Sequence, residues 1–233
     1  MTEALFKHDA YLQECQAEIV VSSNEFVILD KTVFYPTGGG QPGDTGQIKW
    51  NDNSVDVIDT RYSKNGEIQH FLKNNNPLPS EGVTVKAEIN WDRRYRHMRM
   101  HTALHLLGSI LKYGVTGGNI GAEKSRLDFD MSEPVDKDAV DEALQNLVKK
   151  NVPIKSTWIS DEELDAKPDL VRTMSVKPPK GLGKVRLLEI EGIDIQPCGG
   201  THVKSTGEIG CVQLGKVEKK GKHNRRVYVK LMD

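Results

Sequence analysis

Residues 35–50, YPTGGGQPGDTGQIKW, constrain the fold more than any other stretch of this chain. Glycines at 38–40, 43 and 46 and prolines at 36 and 42 exclude a helix there. The run demands turns, positive φ angles and close backbone approach instead. Strand-like patterns lie on both sides of it. Residues 16–34 place apolar groups in short runs broken by the turn signal SSN, and SVDVIDT (54–60), EIQHFL (67–72) and VTVKAEIN (83–90) follow, separated by NG and NNNPLPSEG. Short strands at turn-punctuated spacing predict a small antiparallel β-barrel or sandwich over residues 1–88.

From Trp91 the character changes, and residues 89–233 form the second expected domain, giving an α+β chain overall. WDRRYRHMRMHTALHLLGSILKYG has helical spacing, with Leu104, Leu107 and Leu111 on one stripe and an expected end at Gly114. KSRLDFDM reads as a strand. Pro134 opens a second amphipathic helix over 135–150, with Val140, Leu144, Leu147 and Val148 on one face. Residues 152–159 read as a strand, SDEELDAKP as a short helix with a serine N-cap and acidic first turn, and the remainder as strand and turn.

At 233 residues the chain has ample length for a core. No run approaches the roughly 18 apolar residues that a spanning helix needs, so no membrane partner is expected. The start at Met1 has no secretory h-region. Three cysteines, Cys15, Cys198 and Cys211, are irregularly spaced, which argues against a disulfide framework and for a cytoplasmic setting.

Two short motifs carry the chemistry. His101 and His105 in HTALH stand four apart, so on a helix both imidazoles project from one face. A zinc protease motif has glutamate after the first histidine, and Thr102 stands there instead. Taken alone, the pair also fits simple packing. Cys198 and His202 in CGGTHV have the same spacing with Gly199 and Gly200 between them, which fits either a convergent turn or a buried thiol. Together the four make the His₃Cys set that zinc favours. The gap between the pairs is too long for a zinc finger, so the metal would tie a helix to a distant sheet. A nucleophilic Cys198 with His202 as base is the competing reading, and it leaves HTALH unexplained.

FYPTGGGQPGDTG, HTALHLL, and CGGTHV followed by STGEIG, in this order along nearly the whole chain, resemble the editing part of alanyl-tRNA synthetases. At this length the chain resembles the free-standing AlaX editing proteins, the longer type with a glycine-rich N-terminal domain. An editing fragment of a full alanyl-tRNA synthetase is the alternative reading, against which the start at Met1 and the lack of an ATP-binding domain in this sequence weigh. The resemblance implies a translation-factor-like barrel followed by an editing domain shared with threonyl-tRNA synthetase. It implies a zinc-dependent hydrolase that removes serine, with glycine as a second candidate, from mischarged alanine tRNA. The zinc ligands it implies are His101, His105, Cys198 and His202, with His202 either closing the site or leaving a position for water. From the loop it implies Thr37 as reader of the serine hydroxyl, backbone contacts at Gly38, Gly39 and Gly40, and Gln41 and Asp44 as loop-ordering or water-positioning groups. Without the resemblance, the loop reads as a sharp connection between strands.

Net charge is only −1, yet basic residues cluster. Residues 216–230 carry Lys216, Lys219, Lys220, Lys222, Arg225, Arg226 and Lys230 against Glu218 alone. Residues 176–186 add Lys177, Lys180, Lys184 and Arg186, and Arg93, Arg94, Arg96 and Arg99 precede the histidines. Such strips suit an RNA backbone. A zinc-stabilised RNA-binding module without catalysis is therefore the rival function.

Overall fold

The computed structural model describes residues 2–73, 77–171, 174 and 183–232. The chain divides into two compact units, Met1–Tyr95 and Arg96–Asp233. Strands of the first unit are β1 (Glu3–Ala4), β2 (Glu14–Ser22), β3 (Phe26–Leu29), β4 (Lys31–Thr32), β5 (Gly46–Trp50), β6 (Asn53–Tyr62), β7 (Ile68–Leu72) and β8 (Thr84–Ile89). Six of them close an antiparallel barrel in the order β2-β3-β7-β6-β5-β8, as the strand spacing predicts. The period of two sorts their side chains. In β8, Val85, Ala87 and Ile89 point into the core, while Lys86 and Glu88 face outward and pair with Glu14 and Lys49.

Strand β5 lies at the end of the glycine-rich stretch, for which the sequence predicts turns and close backbone approach but no strand. Gly46 explains it: a Cβ there would collide with the carbonyl oxygen of Glu88, so β5 pairs with β8 at a separation no other residue permits. The unit boundary also falls after residue 88, because the helix α1 (Trp91–Leu111) gives its first turn to the barrel. Arg94 is fully buried. Its Nε donates to both carboxylate oxygens of Asp44, at 3.1 and 2.9 Å, and its other nitrogens donate to Ala10 O at 2.8 Å and Val33 O at 2.6 Å.

In the second unit α1 continues, and residues 97–109 are buried all round rather than along a single leucine stripe. The helix stops at Leu111, ahead of the expected Gly114, because Lys112 turns left-handed at φ 56°. Then come β9 (Val115–Asn119), β10 (Lys124–Asp130), α2 (Lys137–Lys149), β11 (Ile154–Ser160), α3 (Asp161–Asp165), β12 (Lys184–Ile190), β13 (Asp194–Pro197), β14 (Val212–Gly221) and β15 (Asn224–Leu231). Helix α2 is N-capped by Asp136 and buries Val140, Leu144 and Val148. Ser160 and Glu163 form a capping box on α3. One sheet has the order β14-β15-β10-β9, the other β11-β12-β13. Among the described residues no helix is long and apolar enough to cross a membrane.

Candidate metal centre

The two motifs meet. Helix α1 presents His101 and His105 one turn apart, and the turn after β13 presents Cys198 and His202. One ligand atom from each lies within 4.8 Å of all the others. Cys198 Sγ stands 3.6 Å from His101 Nε2 and 3.1 Å from His202 Nε2. Tetrahedral zinc with bonds of roughly 2.0–2.3 Å sets sulfur-to-nitrogen edges at roughly 3.6 Å, which the Cys198–His101 edge matches, and the donor set fits the ion in its chemistry. Three imidazoles converging on one sulfur exceed what a thiol–base pair needs.

Three supporting residues hold these groups in place. Thr102 gives its only hydroxyl proton to Met98 O at 2.9 Å, so at 3.2 Å from His202 Nδ1 it can only accept. With its proton on Nδ1, His202 turns the Nε2 lone pair toward Cys198 Sγ, 3.1 Å away. The residue that replaces the protease glutamate therefore orients a histidine 100 positions away. Asp194, buried at the start of β13, places Oδ2 3.8 Å from His105 Nδ1, at ion-pair reach, and Gln196 donates an amide hydrogen bond to the same oxygen. Arg186 Nε donates to Cys198 O at 2.9 Å and its Nη2 to Gly200 O, clamping the CGG turn from β12, while Cys198 N donates to Arg186 O at 3.0 Å.

None of these three roles is visible in spacing. Those of Asp194 and Arg186 depend on strand register, in which Ile190 faces Asp194 and Arg186 extends the ladder to Cys198.

The electrostatics suit a thiolate among imidazoles. Burial pushes the Cys198 thiol up, but His101, His202 and His105 hold it well below its ordinary value. Burial also pushes His105 down, yet the Cys198 sulfur and the Asp194 carboxylate raise it to about 9. Burial lowers His101, and burial together with the His101 charge lowers His202 well below the usual imidazole value.

In the first unit the glycine-rich loop is firmly braced. Gly39 and Gly40 have φ of 57° and 83°, and Gly38 and Gln41 exchange two backbone hydrogen bonds. Thr37 is exposed; its N–H donates to Thr60 O, and its hydroxyl accepts from Gly43 N at 2.8 Å. Gln41 is buried. Asp44 is buried against Arg94 and accepts from Tyr35 N at 2.6 Å.

The basic clusters divide between surface and interior. Arg94 is the partner of Asp44, and Arg99 is buried with Nε on Ile209 O at 2.8 Å, so neither contributes to an RNA-facing strip. Arg186 belongs to the turn clamp, while Lys177 and Lys180 lie outside the described residues. On the β14–β15 hairpin, Asp128 of β10 takes Arg226 at 2.8 and 2.9 Å, and Glu218 takes Lys216 and Lys220. Lys216, Lys219, Lys220, Lys222 and Lys230 remain exposed.

Residues 2–93 match the family model of class II (A) tRNA synthetases, and residues 185–228 match the second additional domain of threonyl- and alanyl-tRNA synthetases. The second match contains Cys198 and His202 together with Arg186 and Asp194. The alanyl-tRNA editing protein AlaX-M of Methanosarcina acetivorans is 39% identical over 246 residues, covering all of both chains. The chain belongs to the AlaX family of alanyl-tRNA editing proteins. AlaX-M of Saccharolobus solfataricus is 39% identical over 98% of each chain. AlaX-L of Pyrococcus horikoshii is 38% identical over 97% of this chain and 57% of its own length, so the AlaX unit described above occupies part of that longer relative.

Proposed function

We propose that this AlaX chain hydrolyses the ester that joins a wrong amino acid, serine above all and glycine second, to alanine tRNA, and that it does so with zinc. The observation that carries the proposal is the convergence of His101, His105, Cys198 and His202 in a chain that aligns end to end with alanyl-tRNA editing proteins. Water attacks the ester carbonyl, the bond to the ribose oxygen breaks, and free serine and uncharged tRNA leave. His101, His105 and Cys198 would hold zinc, with His202 either closing the site or leaving a position for water; the ion would supply Lewis-acid polarisation and, in the open case, water activation. Cys198 contributes the only anionic ligand. Thr102 orients the His202 imidazole, Asp194 sets a carboxylate at ion-pair reach of His105, and Arg186 keeps the turn in shape. Exposed lysines of the β14–β15 hairpin contact the RNA backbone.

Thr37 reads the serine hydroxyl. Its oxygen is oriented by the Gly43 N–H, which occupies one lone pair and leaves the hydroxyl proton to donate. A site built to hydrogen-bond a hydroxyl rejects the analogue lacking it by up to roughly 10⁴-fold, whereas an apolar pocket discriminates such pairs poorly. An editor that must spare alanine needs the former.

The deciding experiment incubates the protein with Ser-tRNA(Ala) and Ala-tRNA(Ala). Serine release well above the spontaneous rate, with alanine spared, is expected; no release overturns the hydrolase reading. Thr37→Val in the same assay is expected to erode the preference for serine over alanine roughly tenfold or more while zinc content stays unchanged. Unaltered selectivity makes Thr37 a turn residue only. Asp194→Asn is expected to weaken zinc binding roughly 10–100-fold in competition with a chelator, because the outer partner of a histidine ligand sets its orientation and basicity. Equal competition by both proteins removes Asp194 from the support of the site. One observation favours the rival, non-catalytic module: if all four groups bind, a tetrahedral ion has no open position. Full zinc content with no serine release is the outcome that would establish it.

A further inference from the structure

We infer that Trp158 is the stacking platform for the terminal adenosine of the tRNA, an assignment that rests on the proposed deacylation. Strand register places it. In the β11-β12-β13 sheet Trp158 pairs with Arg186, and the same row continues to Cys198 through the Cys198 N–H to Arg186 O bond. Side chains directly opposite one another project from the same face of a sheet. Trp158, Arg186 and Cys198 therefore share a face, and alternation adds Leu188, Ile190 and Asp194 to it.

Two contacts identify that face as the one carrying the metal cluster. Cys198 Sγ meets His101 and His202, and Asp194 reaches His105. Trp158 stands two strand spacings from Cys198, roughly 10 Å along the row.

At that position its exposure is unusual. Trp158 is 43% exposed, whereas Trp50 is 8% exposed inside the barrel and Trp91 is half-buried against Tyr95. Its same-face neighbours on β11 are Ser156 and Ser160, both too small to cover an indole, and Ser160 is committed to capping α3. Among the described residues, the indole is left open beside a buried polar cluster and serves neither the core nor the capping of the strand.

The chemistry of the substrate supplies its partner. The scissile ester sits on the ribose of the last nucleotide, so the base of that nucleotide must lie one sugar away from the reacting carbonyl. Every tRNA acceptor ends in adenosine, and a flat aromatic ring is a general partner for a base face. Trp158 is thus a binding residue, which positions the ester without touching it.

The test uses the full chain. Trp158→Ala is expected to raise KM for Ser-tRNA(Ala) roughly tenfold, with kcat and zinc content little changed, and Trp158→Phe to recover most of the loss. Binding is read separately from hydrolysis, by tryptophan fluorescence with uncharged tRNA(Ala). Intact tRNA is expected to quench the wild-type protein. The same tRNA lacking its terminal adenosine is expected not to, and Trp158→Ala, which retains Trp50 and Trp91, is expected to give no quench with either. An unchanged KM in Trp158→Ala, or equal quenching by intact and trimmed tRNA, overturns the assignment. If no variant hydrolyses any ester, the deacylase reading fails alone, and the quench still decides the role of Trp158.

Discussion

Cys198→Ala is expected to strip the protein of zinc: metal analysis of the purified variant should find a small fraction of the wild-type content, and serine release should fall at least about 100-fold. Of the four converging groups only the cysteine brings a negative charge, and the thiolate is the form in which it binds metal. Its pKa is already drawn down by the three imidazoles around it. Without it, three neutral histidines remain to hold a doubly charged ion in a buried site. The substitution removes one small, half-buried atom from a turn whose carbonyls are gripped by Arg186, so the fold should survive it. A circular dichroism spectrum and unfolding midpoint close to wild type would separate loss of metal from loss of structure. Unchanged zinc stoichiometry in a folded variant would remove Cys198 from the site and reopen its reading as a nucleophile. His202→Ala makes the companion measurement, because retained zinc there would leave a coordination position for water.

The site was legible in outline because its two halves use local geometry. The i, i+4 spacing of His101 and His105 needs only a helix, and Gly199-Gly200 needs only a turn. What supports those halves was not legible. Thr102 in sequence is merely the absence of a glutamate, and it acquires a role only when His202 arrives from 100 residues away. Asp194 and Arg186 depend on the register of a hairpin, which the sequence pattern does not set. The barrel was legible for a similar reason, since alternation within each strand is local. Strand β5 was hidden, because its determinant is the close approach of Glu88 to Gly46.

Charge was the least reliable guide. Arg94, Arg99 and Arg226 read as surface when counted along the chain. Two of them are answered by distant acids, Asp44 and Asp128, and the third by the Ile209 carbonyl. A run of basic residues reports on a surface only once its acidic neighbours in space are known.

The pair of Asp44 and Arg94 yields the other large expected effect. Asp44→Ala should destabilise the protein by about 3–5 kcal/mol, read as a lowered midpoint in urea unfolding. The reason lies in what remains. Arg94 has no exposure, and its guanidinium would keep only the carbonyls of Ala10 and Val33, so a buried cation would lose its counter-charge. The Tyr35 N–H would lose its acceptor as well. Arg94→Met alone should cost a similar amount by stranding the carboxylate. The double variant Asp44→Ala/Arg94→Met should cost clearly less than the two single changes added together, because neither charge is then left alone. A midpoint unmoved by Asp44→Ala would show that the pair contributes little.

The consequence for function is indirect. The Asp44 carboxylate holds the end of the same loop whose Gly43 N–H orients the Thr37 hydroxyl. Its loss should therefore blur discrimination between serine and alanine below the unfolding midpoint, while zinc content holds. A residue that positioned the attacking water would behave differently, lowering kcat on serine without moving the midpoint, and the two measurements together decide between loop brace and water positioner.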